Sequence, residues 1–172
     1  MSLHLQPILE GQRVRLIPLQ PLDFEDLFLI ASDPLIWEQH PENTRYQRDV
    51  FRRYFDSGIE SQGAFIVRDW QSDELLGCTR FYNYDASRKV ISIGYTFLKR
   101  SCWGKPINRE MKKLMIEYAF QSVEKIQFDI GEHNLRSRKA VEKIGATFSE
   151  LKNSTAVYDI KKDDYYSNPI II

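Results

Sequence analysis

Apolar residues alternate with polar ones along Arg13-Val14-Arg15-Leu16-Ile17, the period of a half-buried strand. Pro18 and Pro21 end it. Leu22, Leu27, Phe28 and Ile30, with acids between them, predict a helix through about Ala31, which Asp33-Pro34 breaks. A loop carrying Trp37-Glu38-Gln39-His40-Pro41 follows. From about Gln47, the residues Val50, Phe51, Tyr54, Phe55 and Ile59 form the inner side of a second helix. Ala64–Arg68, Leu75–Tyr82 and a run ending at Leu98 predict strands. The polar turns Gln71-Ser72-Asp73 and Tyr84-Asp85-Ala86-Ser87 join them into an antiparallel meander.

After Leu98 the period changes. Met111, Leu114, Met115, Tyr118 and Ala119 follow the i, i+3, i+4, i+7, i+8 spacing of a helix. Lys125–Ile130 alternates as a strand. Asn134 suits an N-cap, Ala140, Val141 and Ile144 form an inward face, and Gly145 suits the residue just past a helix end. Thr147–Ser149 and Ala156–Ile160 predict the last strands. The order describes one mixed α/β domain over residues 9–160, a meander followed by a βαβ-like half, with a C-terminal tail over 161–172.

One segment carries chemistry. Trp103-Gly104-Lys105-Pro106-Ile107-Asn108 joins the strand Ile91–Leu98 directly to the helix that follows. A strand, a tight loop and a helix N-terminus present unpaired backbone N–H groups and the positive end of a helix dipole to an anion. A phosphate-bearing ligand is therefore expected. Neither G-x-x-x-x-G-K-[ST] nor G-x-G-x-x-G occurs in this loop.

Composition narrows the classes. Lys+Arg and Asp+Glu both number 24, so the formal net charge is zero, which argues against nucleic acid as the main partner. The 172 residues suffice for one domain with a real core. Cys78 and Cys102 stand far apart, fit no metal pattern and read as buried thiols, so no metal is expected and a reducing cytoplasm fits. No apolar run approaches the ~20 residues of a membrane span, so no membrane partner is expected. No signal peptide is visible either. The apolar end Pro169-Ile170-Ile171-Ile172 packs on the domain, covers a second copy or frays, which leaves a homodimer open.

The element order, the loop 103–108 and the later run Asn134-Leu135-Arg136-Ser137-Arg138-Lys139-Ala140-Val141-Glu142-Lys143-Ile144-Gly145-Ala146 together resemble the GCN5-related N-acetyltransferases (GNAT). Within that family the branch modifying ribosomal-protein N-termini and various small amines is the most similar. The resemblance runs from about Leu9 to Ile160. It implies a single α/β (α+β) domain with a mixed, mostly antiparallel central sheet, splayed fourth and fifth strands, and helices on both faces. It also implies acetyl-CoA as co-substrate. Its diphosphate would meet the backbone of Trp103, Gly104, Lys105, Ile107 and Asn108. Its pantetheine arm would pair with Tyr95, Thr96, Phe97 and Leu98, and Asn134 would meet the pantetheine amides. Two positions depart from the family pattern. Ser101 replaces a Gln or Arg, and Pro106 removes one N–H from the cradle while its fixed φ suits a helix start.

Acetyl transfer needs a neutral amine near the thioester, a donor for the developing oxyanion and a proton for the departing sulfur. The Phe97 or Leu98 N–H is the expected oxyanion donor. Many family members protonate the sulfur with a Tyr where this chain has Val141. Ser137, on the same helix face as Asn134, is the expected substitute, or else a small residue near the helix start. Glu38 and His40 are the candidate bases for the amine, with a plain surface loop as the other reading. Glu132 and His133 read as capping or solvent-exposed, and Tyr82, Tyr84 and Arg80 as sheet residues near the acceptor entrance. Arg136, Arg138, Lys139 and Lys143 form a basic helix start that meets the CoA 3′-phosphate or simply faces water. The leading expectation is an acetyl-CoA:amine N-acetyltransferase acting on a small molecule or a protein N-terminus by direct attack of the amine. The alternatives are a non-catalytic acyl-CoA-binding domain of the same fold and an unrelated phosphate-binding α/β domain.

Overall fold

In a computed structural model, which describes residues 3–168, the apolar periods resolve into one sheet with helices on both faces. The strands are β1 (Leu9–Glu10), β2 (Val14–Pro18), β3 (Ala64–Asp69), β4 (Leu75–Asp85), β5 (Val90–Leu98), β6 (Lys125–Gly131), β7 (Thr147–Lys152) and β8 (Thr155–Lys161). The helices are α1 (Phe24–Ala31), α2 (Arg48–Ser61), α3 (Ile107–Ala119), α4 (Leu135–Glu142) and α5 (Lys162–Ser167). The strand order is β1-β2-β3-β4-β5-β6-β8-β7. Every neighbouring pair is antiparallel except β5 and β6, which α3 joins as a βαβ unit.

Local chemistry explains most element ends. Asp85 Oδ1 accepts the N–H groups of Ser87 and Arg88 at 2.9 and 3.0 Å, which turns the chain after β4. Tyr84 and Asp85 therefore end the strand rather than open the turn. Asn134 caps α4, its Oδ1 accepting the Ser137 N–H at 3.2 Å. Gly145 closes that helix with φ 90, while the Ala146 N–H reaches back to the Val141 carbonyl at 3.0 Å. β1 was not expected, because two residues are too few to show a period. Counting it makes the family's fourth and fifth strands β5 and β6 in this chain.

Two apolar clusters hold the layers. On one face, Met111, Met115 and Ile116 of α3, Val141 of α4 and Tyr165 of α5 pack against Phe65, Ile91, Phe128 and Tyr158. On the other, Phe24 and Leu27 of α1 and Phe51, Tyr54 and Phe55 of α2 pack against Ile66, Cys78 and Phe97. Each such buried side chain stabilises the fold by ~1.5–3 kcal/mol. The segment expected as a tail from 161 begins as the end of β8 and then α5, whose Tyr165 is 1 % exposed in the larger cluster. Its apolar end, Pro169–Ile172, lies outside the described residues, and with it the expected packing on the domain or a second copy.

The sheet parts in one place. β5 and β6 pair only from Val90↔Lys125 through Ser92↔Gln127. Beyond them the β4–β5 register shifts between Cys78 and Arg80, and Tyr95 takes a left-handed φ of 50. Such a bulge bends its strand and raises its twist, so β5 leaves β6 and a gap opens. Gly77 secures the bend from β4: its φ is 157, and a Cβ there would lie 2.0 Å from the Phe97 carbonyl oxygen. We expect Gly77→Ala to destabilise the protein by ~2 kcal/mol or more, read as a lower midpoint in urea unfolding. An unchanged midpoint would show that the bend does not depend on this close approach.

Candidate active site

A cavity of about 800 Å³ fills the gap. Of the expected coenzyme contacts, Tyr95, Thr96, Phe97, Leu98, Trp103, Gly104, Lys105, Asn108 and Asn134 line it. Ile107 does not, because its side chain is buried in the core beneath the loop. Ser137 and His40 line it as well, while Glu38 does not.

The loop donors divide into two groups. The Trp103 N–H is taken by the Arg100 carbonyl at 3.0 Å and the Lys105 N–H by the Cys102 carbonyl at 3.2 Å. These two backbone groups are thus committed within the loop, contrary to expectation. The N–H groups of Gly104, Ile107 and Asn108 have no partner among the described residues, and α3 has no side-chain cap. Pro106 stands immediately before α3 with φ −71, and its carbonyl accepts the Glu110 N–H at 2.9 Å. Its missing donor is one the helix start leaves open in any case. Gly104 has φ 74, and nothing lies within 4 Å of where its Cβ would be. The arrangement is an open nest of main-chain donors at the positive end of a 13-residue helix.

The free edge of β5 continues from this nest. Lys99 donates to the Leu76 carbonyl at 2.9 Å. Antiparallel alternation from that bond turns the Phe97 N–H toward β4 and the Thr96 and Leu98 N–H groups toward the gap. Of the two expected oxyanion donors, only Leu98 faces the cavity. The Leu98 carbonyl accepts the Trp103 indole N–H at 3.3 Å, which pins the loop to the strand. Asn134 is buried, and its Oδ1 is held by the cap, so its NH2 is the part left for a ligand.

Both candidate bases already have partners. His40 Nδ1 accepts the Glu42 N–H at 3.0 Å, and Arg45 stands 3.1 Å from Nε2. Burial and then the Arg45 charge push its pKa down to about 4, so the ring is neutral near pH 7 and does not hold an abstracted proton. Glu38 lies outside the cavity lining and pairs with Arg136 at 3.6 Å. That arginine also donates to the Ile36 carbonyl at 2.9 Å and stacks 3.9 Å over the Trp103 ring, spanning the cavity mouth. Lys139 and Lys143 line the cavity. Arg138 is turned away to the Tyr158 hydroxyl at 2.9 Å. His133 is exposed and paired with Glu132 at 3.2 Å. Tyr82 hydrogen-bonds Asp129 at 3.0 Å, and Tyr84 accepts the Leu3 N–H at 3.5 Å. Arg80 lies 4.0 Å over the Tyr95 ring, bracing the bulge.

Sequence reasoning passed over one group. Lys112 of α3 is 5 % exposed and lines the cavity. Its Nζ donates to Thr96 Oγ1 at 2.7 Å and stands 5.9 Å from the centre of the Phe128 ring. It therefore reaches from beneath to both diverging strands. It forms no ion pair among the described residues, and burial pushes its pKa down to about 7. The stripe expected on α3 has no slot at 112; the buried face is turned toward Ile107, Met111, Lys112, Met115 and Ile116.

A lysine whose folded pKa lies below its unfolded value binds fewer protons folded than unfolded. It therefore destabilises the fold at low pH, and that cost fades as pH rises from about 7 toward 10.5. Lys112→Met should raise the melting temperature at pH 6, with the gain shrinking steadily toward pH 10. A gain independent of pH would show that Lys112 is not the source.

The acetyltransferase (GNAT) domain family matches residues 13–147 of the chain. Among solved structures, a GCN5-related N-acetyltransferase from Brucella melitensis superposes with a TM-score of 0.82 at 22% identity, over 96% of this chain and 82% of that one. An acetyltransferase of the GNAT family from Bacillus anthracis gives 0.75 at 17%, over 91% and 99%. RimJ from Mycobacterium smegmatis, in complex with CoA-disulfide, gives 0.74 at 15%, over 95% and 91%. At these identities the structural likeness speaks for the fold, and the family match carries the relationship: the chain belongs to the GNAT acetyltransferase family.

Proposed function

We propose that the protein is an acetyl-CoA-dependent N-acetyltransferase in which a primary amine attacks the thioester directly. The observation that carries this reading is the set of unpartnered amides of Gly104, Ile107 and Asn108 at the start of α3, with Gly104 and Asn108 lining the cavity between β5 and β6. Unpartnered N–H groups at a helix start fit a bound diphosphate, and the open space beside the exposed Gly104 leaves room for one. The Thr96 and Leu98 edge suits an extended arm that pairs as an added strand. Acetyl-CoA supplies the acyl group as a thioester. Residues 9–160, with α5 packed against them, form the catalytic domain in this reading.

The acceptor enters from the opposite side, past Trp37, His40, Arg45 and Tyr95, which line that end of the cavity. With His40 neutral and Glu38 outside the cavity lining, no dedicated base is assigned among the described residues, and the amine reaches the site already deprotonated. Ser137 hydrogen-bonds the departing sulfur from α4. The acceptor is a small molecule or a protein N-terminus. The branch of ribosomal-protein N-terminal acetyltransferases is the finer reading within the family, and the likeness to RimJ bears on fold alone.

CoA should stabilise the wild type by about 2.7 kcal/mol at one hundred times its Kd, seen as a thermal shift. Acetyl-CoA with a panel of primary amines should then release free thiol. No shift with CoA would discard the whole reading. A shift without thiol release from any amine would favour the non-catalytic acyl-CoA-binding domain. For Ser137→Ala we expect a fall in kcat of roughly tenfold with CoA affinity unchanged, the scale of one lost hydrogen bond to a charged atom. An unchanged kcat would remove Ser137 from the chemistry.

A further inference from the structure

Lys112 has no structural task that an apolar residue would not perform better. It is buried on the core face of α3, between Met111 and Met115, with no carboxylate partner among the described residues. Its one hydrogen bond goes to the neutral Thr96 hydroxyl, which itself contacts Thr79 Oγ1 at 2.8 Å and the Gly94 carbonyl at 3.3 Å. An amine has more hydrogen-bonding positions than that single contact uses. Lys112 also lines the cavity, so a ligand there has access to the remainder.

Its position along the gap is informative. The gap is closed at Ser92↔Gln127 and opens toward the nest at Gly104. A coenzyme arm running from that nest along the free edge of β5 passes Leu98, then Thr96, and ends at the closed side near Gly94. Its sulfur end thus lies beside Thr96, the residue to which Lys112 is bonded. We propose that Lys112 is the catalytic acid that protonates the departing CoA sulfur, approaching it from the α3 side of the gap. This rests on the acetyl-CoA reading above.

The step balances. The amine nitrogen bonds to the thioester carbonyl carbon, the carbon–sulfur bond breaks with its electron pair on sulfur, and sulfur takes a proton from the Lys112 ammonium. The surplus proton on nitrogen leaves to water, and Lys112 regains one from water. A serine hydroxyl can hydrogen-bond a thiolate but does not surrender its proton near neutrality, so Ser137 alone leaves the sulfur charged. Burial brings Lys112 to about 7, near the working pH, where a general acid is most effective. The other charged groups lining the cavity are Lys105 and Arg109 at the start of α3, Arg136, Lys139 and Lys143 of α4 and its following turn, Arg45 of the loop, and Asp129 of β6. From β5 and β6 the amine itself meets only Thr96 and Phe128. The cationic surroundings oppose protonation when the cavity is empty, and a thiolate favours it.

The test needs no acceptor. The thiol of CoA bound to wild type and to Lys112→Met is titrated by thiolate ultraviolet absorbance. An ammonium beside the sulfur should give the wild type a roughly tenfold larger thiolate fraction than K112M at the same pH below 7. Equal titrations in two proteins that both bind CoA would overturn the proposal and leave the coenzyme reading standing. Failure of wild type to bind CoA would overturn both. A second measurement uses wild type alone: NMR of carbon-13-labelled lysine should show Lys112 titrating higher with CoA bound than with desulfo-CoA bound. Identical titrations would overturn the assignment, as would acetylation of Lys112 itself, found by mass spectrometry after incubation with acetyl-CoA.

Discussion

The unpaired edge of β5 is the constraint on which the rest of the molecule depends. A strand inside an eight-stranded sheet normally bonds on both sides, and leaving a buried backbone group without a partner costs ~1–3 kcal/mol. Here the parallel pairing with β6 stops after three residue pairs, and the strand runs on to Leu98 paired with β4 alone. The bulge at Tyr95 makes this possible. It is held from one face by the Tyr54 hydroxyl donating to the Tyr95 carbonyl and by Arg80 stacked on the ring, and from β4 by the side-chain-free Gly77. Those contacts hold open an edge that only water or a ligand can complete.

The same geometry sets the electrostatics. The chain carries no formal net charge, yet the gap gathers the positive end of α3, Lys105, Arg136, Lys139 and Lys143. A single carboxylate, Asp129, lines it among the described residues. An anionic ligand is thus favoured locally although the protein as a whole is neutral. Lys112 belongs to this field but differs in kind. The others reach water, whereas Lys112 is enclosed between α3 and the parting strands, where a proton is held only loosely. Arg136 differs again: by stacking on Trp103 and bonding the Ile36 carbonyl, it ties α4, the anion loop and the acceptor-side loop together across the cavity mouth.

Particular residues show where the sequence could be read and where it misled. The stripe on α3 was legible as a helix, but its inner face is rotated: Lys112 and Ile116 are buried, while Leu114 and Tyr118 are only partly so. A charged residue in an apolar slot reads as solvent-facing unless the wall opposite is known to be open. His40 read as a titrating base because an isolated imidazole is one near neutrality. Its burial, the Glu42 N–H at Nδ1 and the nearby Arg45 charge come from packing that no local pattern encodes. Glu38 was plausible by its neighbourhood in the chain, yet its partner Arg136 is nearly a hundred residues away.

By itself the sequence determined the main elements and their order, though not β1 or α5, because period, caps and turns are local: Asn134 and Gly145 bound α4 through bonds within a few residues of each other. It also determined that a glycine loop opens a helix, and hence where main-chain donors gather. Only the tertiary structure decided which donors remain free, with Trp103 and Lys105 folded back on the loop and Gly104, Ile107 and Asn108 left open. It alone decided as well which titratable groups face the gap and with what affinity for a proton. Those properties depend on burial and on partners distant in the chain, and both arise only when β5 and β6 part and the helices close around them.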